Sequence, residues 1–472
     1  MAVQMLDHPR LSLTLVETVM ASIRARIDAR KLAPGARLPS VRDCATELSV
    51  SKSTVVEAYD RLVAEGEINA RRGSGFYVAG GTRPLSLQRL GPELDRAIDP
   101  LWVTRQAMSC GPEVLKPGWG WLPSSWLPDE GLQKGLRFLA KGAEAEARTR
   151  YDSPLGFAPL RHHLVLRLAE RGIAAAADQI MLTDSASHGL DLMGRLLLEP
   201  GDTVMVDDPC YFNFHAMLRS HRVRILGVPF GTDGPDLDAF GQALAAHRPR
   251  LYLTNAGLHN PTGATISAVK AHRLLKLAEQ HDTIVVEDDA FADLEAEPAP
   301  RLAGFDGLER VVVVGSYSKT VTAAIRCGYV AARPDWIEAL VDLKLSTGLG
   351  SGHFAAVLLH RMLTDGSYRR HLDGLRAKLS DAMGRTRRRL ATLGIEPFVE
   401  PSGGMFLWGR LPGGIDAADV ARYALARDVI FAPGNVFSAT HSARSHLRFN
   451  VARCAEPRIF EVLAGAIEAA AA

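Results

Sequence analysis

Apolar residues in the first part of the chain recur at helical spacing, with Val16, Val19, Met20, Ile23 and Ile27 inside Leu13–Lys31 and Pro34-Gly35 as the stop. The pattern predicts two more helices there. One spans Val41–Leu48 with Ser40 as its N-cap, and one runs from Lys52 to about Glu65 with Ser51 as its N-cap. Ile68–Val78 then reads as a hairpin with Gly73-Ser74-Gly75 at its tip. Beyond about Pro128 the period changes. Short β-branched runs, Ile180–Thr183, Thr203–Val206, Leu251–Thr254, Thr283–Val286 and Val311–Val314, alternate with longer amphipathic stretches. Runs of that kind are strands buried on both faces of a parallel sheet, built from βαβ units.

Between the two zones, AGGTRPLSLQRLGPELDRAIDP mixes turn residues with a short helical pattern. It suits either a connector between two independently folded parts or an arm packed on the larger one. The following WGWLPSSWLP carries three tryptophans, Trp119, Trp121 and Trp126, which call for burial.

Length and charge narrow the class of function. At 472 residues the chain exceeds a single small domain, and 47% hydrophobic content with 23% charged residues describes an ordinary globular protein. The net charge of +2 supplies no global field for nucleic acid or membrane. Residues 1–80 hold 11 Lys+Arg against 9 Asp+Glu, so the whole excess sits at the N-terminal end. Cys44, Cys110, Cys210, Cys327 and Cys454 lie far apart without a CxxC pair, which suits reduced thiols and gives no metal site. With no signal peptide and no long apolar run, the expected location is the cytoplasm, without membrane contact.

Two short helices joined by a tight turn, the second opening on Lys52, Ser53 and Thr54, predict a helix-turn-helix. The second helix would enter the major groove N-terminus first, where polar side chains reach base edges and the positive dipole end faces phosphate. The hairpin would serve as a wing. Taken whole, GARLPSVRDCATELSVSKSTVVEAYDRLVAEGEINARRGSGFYV resembles the winged-helix domain of GntR-family transcription regulators. The resemblance implicates Arg37, Arg42, Ser51, Lys52, Ser53, Thr54 and Gly75 in contacts to a double-stranded operator, with Arg42 holding phosphate.

A second chemistry lies in GSYSKTVTAAIRCGY. Lys319 follows a strand and a Ser-Tyr-Ser tripeptide and precedes Arg326 by seven residues, an arrangement expected of a Schiff-base lysine with phosphate-binding partners. Ser316, Ser318 and Arg326 would donate to the phosphate. Asp288 in EDDAFADL can keep a pyridine nitrogen protonated, whereas Asp289 also reads as a helix cap. Asn260 in HNPTG can meet a ring hydroxyl. The helix starting near Ala186 and Ser187 offers free N–H groups to phosphate, and Tyr211 can stack on the ring.

Together these motifs resemble fold-type-I pyridoxal-phosphate enzymes of the aspartate aminotransferase class from about Gly118 onward. The resemblance implies pyridoxal 5'-phosphate as cofactor and Lys319 as the catalytic lysine. It also implies Tyr151 as a phosphate ligand donated to the neighbouring subunit of a homodimer, and Arg448 as a carboxylate clamp for a substrate or effector. Three positions depart from the family. Phe291 stands where a tyrosine is usual, Ser185 where a glycine is usual, and Ala323-Ala324-Ile325 replaces a common Pro-Gly-Leu.

The fusion resembles the MocR subfamily of GntR regulators. It implies a mostly α winged helix-turn-helix at residues 1–80 and a linker at 81–114. Residues 115–472 would form an α/β aminotransferase-like domain with a central mostly parallel sheet and a smaller C-terminal α+β lobe, mainly 345–472. The implied activity is transcription regulation by an amine or amino acid, or by the cofactor itself, through an aldimine at Lys319. The alternative is an active class I/II aminotransferase carrying an autoregulatory DNA-binding domain.

Overall fold

A computed structural model of the chain describes residues 14–28, 31–33, 35–71, 74–79, 104–105, 108–111, 113–141, 151–440 and 442–471. The chain divides into two compact units, Met1–Ser86 and Leu87–Ala472.

In the first unit, α1 (Leu15–Asp28), α2 (Val41–Glu47) and α3 (Lys52–Ala64) precede the antiparallel pair β1 (Ile68–Arg71) and β2 (Gly75–Val78). Both N-caps form as the serines dictate: Asp43 N donates to Ser40 Oγ at 3.2 Å, and Thr54 N to Ser51 Oγ at 3.1 Å. The apolar stripes of the helices meet around Ile23, Val55, Leu62 and a fully buried Tyr59. Tyr59 satisfies its hydroxyl on Pro39 O at 3.1 Å, which is what permits a phenol in so small a core. The acidic face of α2 also has an explanation. Asp43 accepts from Ser40 Oγ, and Glu47 pairs with Arg26 of α1 at 3.2 Å. Gly73 and the predicted stop Pro34 lie outside the described residues.

The second unit is layered. Its main sheet contains β3 (Ile180–Thr183), β4 (Thr203–Asp208), β5 (Arg224–Gly231), β6 (Gly234–Pro235), β7 (Leu251–Thr254), β8 (Ile284–Asp288), β9 (Val311–Ser316) and β10 (Gly328–Ala331). They order as β3-β10-β9-β8-β7-β4-β5-β6, with β9, β8, β7, β4 and β5 parallel and β10 antiparallel to both neighbours. Alternate residues feed two different cores. Met205, Tyr252, Val285, Val311 and Val313 pack on one face, and Val204, Val206, Leu251, Leu253, Val286 and Val312 on the other. Apolar residues at every position therefore mark strands covered by helices on both sides.

Three strands differ from the expected bounds at their C-terminal ends. β4 continues through Asp207 and Asp208, β8 starts at Ile284 and continues through Glu287 and Asp288, and β9 continues to Ser316. The charged residues are tolerated because the fold supplies partners. Asp207 accepts from the Tyr252 hydroxyl and from Thr254 Oγ1 at 2.8 Å, and Glu287 accepts from Leu302 N and Ala303 N at 3.1 and 3.2 Å.

A smaller antiparallel sheet, β11 (Glu396–Pro397), β12 (Phe406–Arg410), β14 (His446–Asn450) and β13 (Ala432–Pro433) in that spatial order, packs with the Ser367–Ala391 helix around its own core. Among the described residues no helix is long and apolar enough to cross a membrane.

Candidate functional site

In the first unit the surface expected to meet DNA is short and contiguous. Ser51, Lys52 and Ser53 are exposed at the start of α3, and Arg42 is exposed on α2. The Ser51 hydroxyl lies 2.7 Å from Ser53 Oγ and 2.8 Å from Thr54 Oγ1, so part of its hydrogen-bonding capacity is spent within the helix cap. Gly75 has φ +103°, a backbone conformation that side chains resist, and the Arg37 guanidinium lies 3.4 Å from where its Cβ would be. Arg71 stacks on Tyr77 at 4.5 Å beside it, a basic and aromatic pair on the wing that sequence reading had not singled out.

In the second unit the C-terminal ends of β4, β7, β8 and β9 open into one cavity, as parallel α/β sheets place their ligand crevices. Its lining includes Lys319, Asp288, Asn260, Tyr211, Ala186, Ser187, Ser316, Ser318, Arg326 and Arg448. Tyr151 does not line it and stands 80% exposed.

Lys319 follows the end of β9. Its Nζ donates to Gly120 O at 2.9 Å and lies 4.7 Å from the Trp121 ring and 5.6 Å from Phe291. Burial, reinforced by the Arg448 cation, pushes its pKa down to about 8, with Asp288 opposing. Asp288 is the last residue of β8. Burial pushes its carboxyl up to about 7, against hydrogen bonding from Ala290 N at 3.1 Å and the pull of Lys319. A cation placed against Asp288 would reverse that rise. Asp289, expected as a helix cap, instead points into a buried ionic network, accepting from Arg301 Nε at 2.7 Å and Arg171 Nη1 at 3.1 Å. Strand pleating sends neighbouring carboxylates to different places.

Arg448 has the largest fully buried side chain among the described residues. From β14 it donates to Asn260 Oδ1 and Gly118 O, each at 2.7 Å, with Phe406 and Phe437 within 4.3 and 4.8 Å. Its buried Nε has no hydrogen-bond partner among the described residues. Burial works against its charge, while the aromatic faces support it. Tyr211, beside it, has its hydroxyl pushed up to about 12 by burial.

Several features would suit a phosphate. Arg326, held at φ +46°, has no hydrogen-bond or ion-pair partner among the described residues. Ser316 Oγ accepts from Ser318 N and donates to Ser318 Oγ, each at 3.0 Å. The Ala186–Leu197 helix opens here with Ser185 as its cap, receiving His188 N at 3.0 Å. Gly328 leaves room beside it, since a Cβ there would lie 2.6 Å from Ser185 C and 2.8 Å from Ala186 N.

Three contributors were missed from the sequence. Asn255, just past β7, donates from Nδ2 to Asp288 O at 2.5 Å and accepts from Asn260 N at 3.0 Å, tying two site loops together. Trp119 and Trp121 line the cavity, 5.1 Å apart edge to face. The tryptophan-rich run was a signal, but the three rings are half-buried and not enclosed.

Comparisons with known proteins agree with both regions. Residues 127–465 match the family described as aminotransferase class I and II, and residues 15–78 match bacterial regulatory proteins of the gntR family. The chain is 30% identical over 442 residues to the uncharacterized HTH-type transcriptional regulator YdcR of Escherichia coli, covering 91% of this chain and 93% of that protein. It is 30% identical over 341 residues to a 2-aminoadipate transaminase of Thermus thermophilus, covering 70% and 83%. Among solved structures it resembles LysN, an α-aminoadipate aminotransferase of Thermus thermophilus complexed with N-(5'-phosphopyridoxyl)-L-leucine. That match has a TM-score of 0.71 and 26% identity over 78% of this chain and 95% of that one.

Proposed function

The chain belongs to the class I and II aminotransferase family and carries a gntR-family module ahead of it, and from that premise we propose that it is a DNA-binding transcription regulator that holds pyridoxal 5'-phosphate at Lys319 and senses an amine or amino acid there. The observation that carries this reading is the meeting of Lys319, Asp288, Asn260, Arg326 and Arg448, from separate parts of the chain, in one cavity. Relatives named as HTH-type regulators match across both units.

The residues fit the cofactor. Arg326, Ser316, Ser318 and the N–H groups of Ala186 and Ser187 would hold its phosphate, Asp288 its ring nitrogen and Asn260 its ring hydroxyl, with Tyr211 on its face. Tyr151, exposed, would reach the phosphate in the neighbouring subunit of a homodimer. When bound, the cofactor supplies an electron sink for charge developing at an amino acid's α-carbon. The protein's share is to position and desolvate. At neutral pH the depressed pKa of Lys319 leaves more of its amine unprotonated than an exposed lysine would have, and that Nζ is the group that takes and returns protons. Trp121 and Phe291 flank it with their rings at 4.7 and 5.6 Å. Arg448 would clamp the effector's carboxylate.

Signalling requires that the effector bind one DNA-reading geometry better than the other, and a dimer would read paired half-sites of a double-stranded operator in the cytoplasm. A second reading, an active aminotransferase with an autoregulatory DNA-binding domain, is favoured by the simultaneous presence of Lys319, Asp288 and Arg448. One experiment separates them. Absorbance with pyridoxal 5'-phosphate and an amino-acid panel is recorded while keto acid is assayed in the same tubes. A band that shifts with little keto acid supports the regulator, sustained keto acid supports the enzyme, and no band refutes the cofactor reading.

A further inference from the structure

The chain from Leu115 to Leu122 runs as a strap along the edge of the small sheet. Ile430 N donates to Leu115 O at 2.8 Å, Gly118 N to Ile430 O at 3.1 Å and Asn450 N to Pro117 O at 2.6 Å. The approach is close enough that a Cβ on Gly118 would lie 2.3 Å from Ala432 N. From Gly118 to Leu122 every carbonyl accepts from a side chain. Gly118 O takes Arg448 Nη2 at 2.7 Å, and Trp119 O and Trp121 O take Asn450 Nδ2 at 2.8 and 3.0 Å. Trp121 O and Leu122 O take Arg453 Nε and Nη2 at 2.6 and 3.0 Å. All of those donors belong to β14 or the turn after it. The exception is Gly120 O, which takes Lys319 Nζ at 2.9 Å from the end of β9 in the large sheet.

We infer that the Lys319–Gly120 hydrogen bond is a latch between the strap and the large sheet, and that occupation of Lys319 by the cofactor aldehyde opens it. This deepens the reading of the cavity as a pyridoxal-phosphate site and rests on it. The ammonium of Lys319 first gives up a proton to solvent water. Its neutral nitrogen then adds to the aldehyde carbon, and the two remaining hydrogens leave with the carbonyl oxygen as water while the C=N bond forms. The imine nitrogen carries at most one hydrogen, present only when it is protonated and then shared with the cofactor's ring hydroxyl, so Nζ no longer has the hydrogens that it gave to Gly120 O. The strap keeps its anchors on Arg448, Asn450 and Arg453 and loses its tie to the large sheet. In sequence the strap directly follows residues 81–114, the stretch leading from the DNA-reading module, so the latch acts at the end of that segment. Until then Gly120 O and the Trp121 face act as positioning groups for Nζ.

Hydrogen–deuterium exchange of the full-length protein, with absorbance read on the same samples, tests this. With pyridoxal 5'-phosphate, peptides covering Pro117–Leu122 should exchange about tenfold faster, the order expected for losing one charged hydrogen bond. Lys319→Met, which keeps the stem and removes the donor, should show the faster exchange without cofactor and no change on its addition. Lys319→Ala gives the same readout if the longer replacement misfolds. A cofactor band with unchanged strap exchange, or wild-type exchange in the folded variant, overturns the latch and leaves the cofactor reading standing. No band in the wild type overturns that reading and the latch with it.

Discussion

The candidate DNA contacts, Arg37 through Gly75, fall within one short stretch, and most of their side chains face solvent. The cavity residues are gathered from Thr104 to Arg448, and burial pushes the pKa values of Asp288 and Lys319 among them toward neutrality. Exposed charges in the first unit are screened by water and salt, so each contributes modestly and roughly independently. Buried charges in the second act in a low dielectric and depend on one another. Removing one leaves its partners uncompensated.

Four measurements break or sharpen this contrast. Lys319→Ala should abolish the cofactor's lysine-linked absorbance altogether while the far-UV spectrum stays native; a band that persists removes Lys319 from the site. Lys52→Ala should weaken operator binding by about tenfold and lower the salt slope by about one, with cofactor uptake unchanged. Loss of both functions would mean that the two regions are not energetically separate. The rate of cofactor uptake should rise with pH through about 8, because the neutral amine is the nucleophile and burial depresses the Lys319 pKa to that value. A rise deferred to the ordinary lysine range near 10 would show that Nζ is solvated. Phe291→Tyr should have the smallest effect. Phe291 lines the cavity with its ring 5.6 Å from Lys319 Nζ, so a hydroxyl at its rim should move the titration of the bound cofactor's band to lower pH without changing affinity more than a few-fold. An unmoved titration would place that rim away from the cofactor.

The sequence was most legible where structure is local. Ser40 and Ser51 announce the starts of α2 and α3 because an N-cap needs only its own next turn. The β-branched runs announce the buried sheet, because alternate residues must satisfy two cores at once. Lys319, Asp288 and Asn260 were legible because each sits just past or at the end of such a run. Strand ends were less so. Asp207 and Glu287 look like loop residues until Thr254 and the backbone of Leu302 and Ala303 are seen to receive them.

What the chain determined by itself was therefore its elements, their caps and the residue types able to do imine and phosphate chemistry. Only the tertiary structure decided that Asp288 faces the cavity while Asp289 joins Arg171 and Arg301. It alone decided that Asn255 ties two loops together and that a strap far away in sequence gives its Gly120 carbonyl to Lys319. The reason is physical. A buried donor or charge must find a partner, but which partner depends on which segments the folded sheets bring within about 3 Å, and spacing along the chain carries no record of that.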